Sequence, residues 1–172
     1  MIKNLEDLMG RISGKKRIVI VAAEDLGILE VIEMATQQDI AEFTLIGDRN
    51  RIEEIATANG KKINYEIIDE SDHKFAAEKA VQQIKDGSAD AIMKGLLHTS
   101  IFLKAILNKE NGLNKSRLIS QVSVFDKEYD DGLQLLTDCA IAIDPTLNDK
   151  KQIIENAIDL AIRLGYSRPR VA

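Results

Sequence analysis

The sequence predicts an α/β protein built on a parallel sheet with helices on both faces. Apolar runs of strand length alternate with segments of helical period. Successive runs are spaced to leave room for one helix each time, which is the βαβ pattern. The first run, Arg17-Ile-Val-Ile-Val-Ala-Ala23, is continuously apolar after its leading arginine, as expected of a strand covered on both faces. Right-handed crossovers then distribute the helices over both sides of the sheet.

Leu5, Leu8, Met9 and Ile12 recur at helical spacing and predict a short amphipathic helix over 4–13. After the first strand, Leu26, Ile28, Leu29, Ile32 and Met34 predict a helix over 26–38. A second strand follows over 42–47. Asp48 is placed to cap a helix over 49–59 that Gly60 ends. Residues 65–68 read as a third strand, and Asp72 caps a helix from about 73 to 86 closed by Gly87. Residues 89–93 read as a fourth strand and 99–108 as a helix. The texture changes after residue 112: 117–125 and 133–137 read as two strands joined by a turn at Asp130-Asp131-Gly132. A helix over 148–164 follows, with Ile153, Ile154, Ala157, Ile158, Ala161 and Ile162 as its buried stripe. Residues 168–172 resemble the opening of another buried strand. The expected organisation is a parallel α/β domain over 1–115 and the start of a second α/β domain over 116–172, broken off before completion.

Composition narrows the function classes. The net charge is −5, whereas a nucleic-acid surface carries a basic excess. Tryptophan is absent and aromatic residues make up 4% of the chain, which weakens any base-stacking reading. The lone cysteine, Cys139, has no partner for an internal disulfide and no metal-ligand cluster around it, and reads as a small core residue. A cytoplasmic setting fits. The N-terminus lacks a signal-peptide core, and no apolar run approaches the ~18 residues of a membrane span.

In parallel sheets, ligands sit at the carboxyl ends of the strands. The residues after Ala23, Gly47 and Met93 are therefore the first places to look for chemistry. Met93-Lys-Gly-Leu-Leu-His-Thr-Ser100 is the most informative stretch. It leaves a strand and opens a helix. Gly95 permits a sharp turn and the close approach of an anion. Thr99 and Ser100 offer hydroxyls and caps, Lys94 a full charge, and the helix terminus free amides. The same features describe an ordinary βα turn with a Thr/Ser cap, and generic chemistry leaves both readings open. Gly10-Arg-Ile-Ser-Gly-Lys15 fails as a P-loop, because it has one residue too few between its glycines and precedes a strand. Glu24, Asp25 and Glu30 read as a solvated loop before a metal site, and His73 as a surface residue at a helix start.

Lys94-Gly-Leu-Leu-His-Thr-Ser100 with Phe102-Leu-Lys-Ala-Ile-Leu-Asn-Lys109 resembles the loop and helix of phosphotransbutyrylases, within the phosphate acetyl/butyryltransferase family. Val21-Ala-Ala-Glu-Asp25, Gln121-Val-Ser-Val-Phe125, Leu135-Leu-Thr-Asp-Cys-Ala140 and Ile143-Asp-Pro-Thr-Leu147 follow the same family in order and spacing, so the resemblance covers essentially the whole chain. It implies an isocitrate/isopropylmalate-dehydrogenase-like fold of two α/β domains. It implies acyl transfer between coenzyme A and inorganic phosphate in an interdomain cleft, in homodimers or larger assemblies. Coenzyme A enters as a substrate, with no cofactor and no metal. Lys94, Gly95, His98, Thr99 and Ser100 would line the phosphate side, Gly95 and Thr99 foremost. Thr137 and Asp138, at a strand end, are further candidates. Where the family commonly has His, this chain has Gln121, and where it has Asn, Ala142. The family's proposed catalytic Arg and Asp lie near its C-terminus and match nothing in 1–172, so no catalytic residue is assigned. Two readings stand: an acyl-CoA:phosphate acyltransferase, or a non-catalytic member that folds, associates or binds anions. A related dehydrogenase is disfavoured by the lack of Gly-x-Gly-x-x-Gly after Ala23. Arg168 and Arg170 read as exposed terminal charges before contacts to coenzyme A phosphates.

Overall fold

The computed structural model describes residues 2–11, 14–113, 118–128 and 131–172. Ile12 of the N-terminal stripe, Arg117 at the head of the fifth expected strand and Asp130 of the expected turn lie outside them. In chain order the elements are α1 (Leu5–Met9), β1 (Lys16–Val21), α2 (Leu26–Gln37), β2 (Ala41–Gly47), α3 (Arg49–Ala58), β3 (Glu66–Asp69), α4 (His73–Lys85), β4 (Ala91–Lys94), α5 (Thr99–Ile106), β5 (Ser123–Asp126), β6 (Leu133–Leu136) and α6 (Leu147–Arg163). No helix among the described residues is long and apolar enough to cross a membrane.

The chain divides into two compact units. The sheet unit, Gly14–Lys115, holds four parallel strands in the order β3-β2-β1-β4. Side chains alternate across a strand, and β1 shows it directly. Val19 and Val21 pack with Ile46 against Ala76, Ala77 and Ala80 of α4 and Ala105 of α5. Ile20 packs with Leu45 and Ile67 against Ile28 and Ile32 of α2 and Ile52 of α3. Both faces are thus covered, the reason for β1's unbroken apolar run. The helices start where aspartates cap them: Asp25, Asp48 and Asp72 accept hydrogen bonds from the amides of Ile28, Arg51 and Phe75, each cap worth about 1 kcal/mol. Gly87, at φ 79, ends α4 in the left-handed conformation.

The hairpin unit joins Ser116–Ala172 with Met1–Ser13. The N-terminal helix therefore groups with the later residues, where the sequence reading placed it with the sheet. Polar contacts explain this better than the apolar stripe, since α1 has no buried residue. The Leu5 amide donates to Asp126 and the Gly132 amide to the Lys3 carbonyl. The Tyr166 hydroxyl accepts from the Leu133 amide and donates to the Ile2 carbonyl.

β5 and β6 pair antiparallel, as the turn signal predicts. Residues 118–122, expected to be strand, are not. Side chains from elsewhere serve their backbone: the Leu118 amide donates to Gln152 of α6 and Asn156 of α6 donates to the Leu118 carbonyl, while Thr137 and Asp138 serve Gln121. α6 begins with a capping box between Thr146 and Asp149. Its expected buried stripe is only partly covered. Ile153 and Ala161 are buried, while Ile154 and Ile162 are exposed.

Tyr166→Phe is expected to leave the buried Leu133 amide without its acceptor. Urea denaturation should show a loss of about 1–3 kcal/mol. Hydrogen exchange should quicken at Gly132 and Leu133, and the amides of β1 should not change.

Candidate functional site

Strand order reverses in the sheet unit between β1 and β4: the chain leaves β1 toward β2 and later returns to β1's other side. Such a switch point is where ligands meet open α/β sheets. The turn after β1 and the loop after β4 meet there.

The turn after β1 is held from both sides. β1 stops at Val21, two residues before the apolar run ends, because Ala22 adopts φ 55. The Ala22 amide donates to Ile46 on β2, and its carbonyl accepts from the Leu96 amide beyond β4. A left-handed alanine costs roughly 1–2 kcal/mol, and these two bonds offset that cost.

The loop after β4 lies on this turn. The Gly95 amide donates to the Val21 carbonyl at 2.8 Å. A Cβ on Gly95 would sit 2.1 Å from the Ala22 oxygen and 2.6 Å from the Val21 oxygen. The expected reason for this glycine, close approach by an anion, is therefore not the one the structure displays: the glycine admits the backbone of β1. Leu97 is buried among Val21, Ala22 and Ala105, and plugs the loop into the core. Lys94 folds back over the loop, its ammonium donating to the carbonyls of Leu97 at 2.8 Å and Gly95 at 3.3 Å.

What the loop presents is the start of α5. Thr99 and Ser100 were expected to cap it. Instead His98 occupies the cap position in extended backbone, and no side chain closes the helix terminus. The His98 carbonyl accepts from the amides of Ile101 and Phe102. Thr99 and Ser100, like His98, are exposed residues. The positive end of the helix dipole is open there. Gly95, Leu97 and Lys94 shape the corner, and residues 98–100 offer it to solvent.

Thr137 and Asp138 belong to the hairpin unit, where they do local work. The Thr137 hydroxyl donates to the Gln121 carbonyl at 2.6 Å, and Asp138 accepts from the Gln121 amide at 3.2 Å. Asp138 also accepts from the amides of Ala140, Ile141 and Ala142. Burial pushes its carboxyl up, but the amides of Ile141, Ala140, Gln121 and Ala142 outweigh it and hold it below the ordinary aspartate value. The Gln121 side chain donates to Ser123, and its Oε1 is buried without a partner.

Other sequence readings change. Cys139 is exposed, not a core residue, because it lies in the loop that Asp138 gathers. Glu24 is not in a solvated loop: it is part-buried, accepts from the Asp48 amide at 2.6 Å, and has its other oxygen buried without a partner. Among the described residues no His, Cys, Asp and Glu group is arranged to hold a metal ion. Arg168 and Arg170 line a cavity in the hairpin unit with Lys127 and Lys150. Sequence reasoning missed Ala22 and Leu97. The only signal for Leu97 is an apolar pair inside an otherwise polar loop; for Ala22 there is none.

Residues 75–172 match the family described as phosphate acetyl/butaryl transferase. The chain is 42% identical to a phosphate butyryltransferase of Clostridium beijerinckii and 38% identical to one of Clostridium acetobutylicum, each over all of this chain and 58% of the relative. It therefore spans under two thirds of the length of these relatives. The fold is shared with a phosphotransacetylase of Streptococcus pyogenes, with a TM-score of 0.70 over 92% of this chain and 57% of that one, at 20% identity.

Gly95→Ala is expected to force the loop off β1, costing about 1–3 kcal/mol and speeding hydrogen exchange at Leu96. Asp138→Asn is expected to cost about 1–3 kcal/mol at pH 7. Because the Asp138 pKa is depressed on folding, its contribution is complete above the unfolded value of ~3.9 and is lost as pH falls through the folded value. The stability gap between the two proteins, measured by urea midpoints, should close at low pH.

Proposed function

The chain belongs to the phosphate acetyl/butyryl transferase family, and we propose that it provides the phosphate-holding corner of an enzyme that moves a short acyl group between coenzyme A and inorganic phosphate. In this reading the whole protein has the two-domain isocitrate/isopropylmalate-dehydrogenase-like arrangement and works as a homodimer. A phosphate oxygen attacks the thioester carbonyl, the tetrahedral oxyanion collapses, and the C–S bond breaks. Coenzyme A leaves as thiolate and takes up a proton; the acyl phosphate remains.

Phosphate is a weak nucleophile unless held in line with the carbonyl carbon, and positioning is worth up to ~7–11 kcal/mol of the barrier. The single observation that carries the reading is the uncapped, exposed start of α5 at the switch point of the sheet. The amides and hydroxyls of Thr99 and Ser100 hold phosphate oxygens there, His98 flanks them, and the helix dipole favours the anion. Lys94 and Gly95 act one step back. Lys94 fixes the carbonyls of the loop, and Gly95 seats it on β1. Thr137 and Asp138 act on the other unit by setting the shape of the 121 and 138–142 segments. The alternative is a member that binds anions without turnover.

Calorimetric titration with inorganic phosphate should give one site on this chain. Thr99→Ala and Ser100→Ala should each weaken it roughly tenfold, since a hydrogen bond to a charged group is worth about 1.5–3 kcal/mol. No heat with the unmodified chain would remove the phosphate corner. Thiol release from butyryl-CoA and phosphate by this chain would support the enzyme reading over the anion binder.

A further inference from the structure

We propose that Asn111 is a self-modification site: the neighbouring main chain converts its side-chain amide to a carboxylate, and Lys85 is the group that promotes the step. The inference concerns the sheet unit and does not depend on the acyl-transfer reading.

Two Asn-Gly pairs occur in the sequence, Asn59-Gly60 and Asn111-Gly112. In such a pair the glycine nitrogen can attack the preceding side chain, because glycine has no Cβ to obstruct the approach. The Gly112 nitrogen bonds to Cγ of Asn111 and the Cγ–Nδ2 bond breaks. The proton lost from the Gly112 N–H leaves with Nδ2 as ammonia, and a cyclic imide remains. Water then opens the imide at either carbonyl, giving aspartate or its β-linked isomer. No oxidant or further co-reactant is needed.

The structure sets the two pairs apart. Both asparagines are exposed. Both glycine amides are engaged by a carbonyl of the preceding turn, Gly60 with Thr57 at 3.2 Å and Gly112 with Asn108 at 2.9 Å, so that bond does not favour Asn111. Two other features do. The Asn59 side chain is tied, its Nδ2 donating to the Ile55 carbonyl at 2.8 Å on the last turn of α3. The Asn111 carboxamide makes no hydrogen bond among the described residues; only its backbone amide does, to Oδ1 of Asn108. The second feature is Lys85, the last residue of α4, whose Nζ donates to the Asn111 carbonyl at 3.2 Å. That carbonyl and the Gly112 nitrogen belong to one peptide group. When the nitrogen loses its proton, negative charge spreads onto the oxygen beside the ammonium, and a hydrogen bond to the charged form favours it.

Gly112 is also the residue this turn requires. A Cβ there would lie 2.4 Å from the carbonyl oxygens of both Ile106 and Asn108. The reactive pair is therefore part of how the chain leaves α5. The β-linked product lengthens the main chain inside the turn that returns the Leu113 amide to the Ile106 carbonyl.

The test is to hold the 172-residue chain at mildly alkaline pH and follow aspartate and isoaspartate at positions 59 and 111 by peptide mapping with mass spectrometry. Asn111 should convert roughly tenfold faster than Asn59. Lys85→Gln should slow Asn111 about threefold, the size of an exposed charge interaction, and leave Asn59 unchanged. Lys85→Arg keeps a cation and should hold the original rate. A variant that unfolded would convert faster, so slowing does not come from misfolding. In urea, with both turns lost, the two rates should come together. The proposal is overturned if Asn59 converts as fast as Asn111 in the folded chain, if Asn111 does not convert, or if the difference persists in urea. It is equally overturned if Lys85→Gln keeps the full rate, or if Lys85→Arg slows Asn111 as much as Lys85→Gln does.

Discussion

At the joint between β1 and β4, the backbone of Gly95 sits against the carbonyls of Val21 and Ala22, so near that a methyl in place of its hydrogen would lie 2.1 Å from the Ala22 oxygen. Much of the sheet unit's functional end depends on this approach. It brings the Gly95 and Leu96 amides onto the carbonyls of Val21 and Ala22, lets Leu97 reach the core, and leaves the start of α5 uncapped and exposed. A larger residue would separate the loop from β1 and with it the amides of Thr99 and Ser100. The glycine shapes the proposed phosphate corner at one remove, through the protein's own backbone.

Ala22 and Glu24 extend the same joint across to β2. Ala22 bonds to Ile46 on one side and Leu96 on the other, and Glu24 takes the first amide beyond β2. The carboxyl ends of β2, β1 and β4 are thus bound into one rim by main-chain groups and a single carboxylate. A rim of this kind keeps exposed donors in place without ligand, the preorganisation that binding and catalysis both require.

The hairpin unit solves a different problem. Its strands are short, and side chains stand in for missing ladder partners. Thr137 and Asp138 take the two backbone groups of Gln121, Gln152 and Asn156 take those of Leu118, and Tyr166 bridges Leu133 to Ile2. Asp138, a residue of suggestive type at a strand end, is engaged by four amides. Position alone does not separate a ligand from a brace, because both need a carboxylate with donors around it.

The order of strands and helices, the aspartate caps and the glycine stops were legible in the chain, because each is a local preference of backbone and side chain. The family was legible too, from Lys94 to Ser100 and the segments that follow it in register. The site's working parts were legible only as a place. That Gly95 serves β1 depends on atoms brought together from distant segments, and that Lys94 bonds to its own loop and His98 takes the cap position of α5 depends on how that loop is seated. The same holds for α1, which was expected in the domain over 1–115, while Tyr166 and Asp126 bond to its segment. Sequence by itself determined the elements and their chemistry, since period and capping act within a few residues. Tertiary structure alone decided which donors stay free, since a hydrogen bond is spent or spared only when its partner arrives.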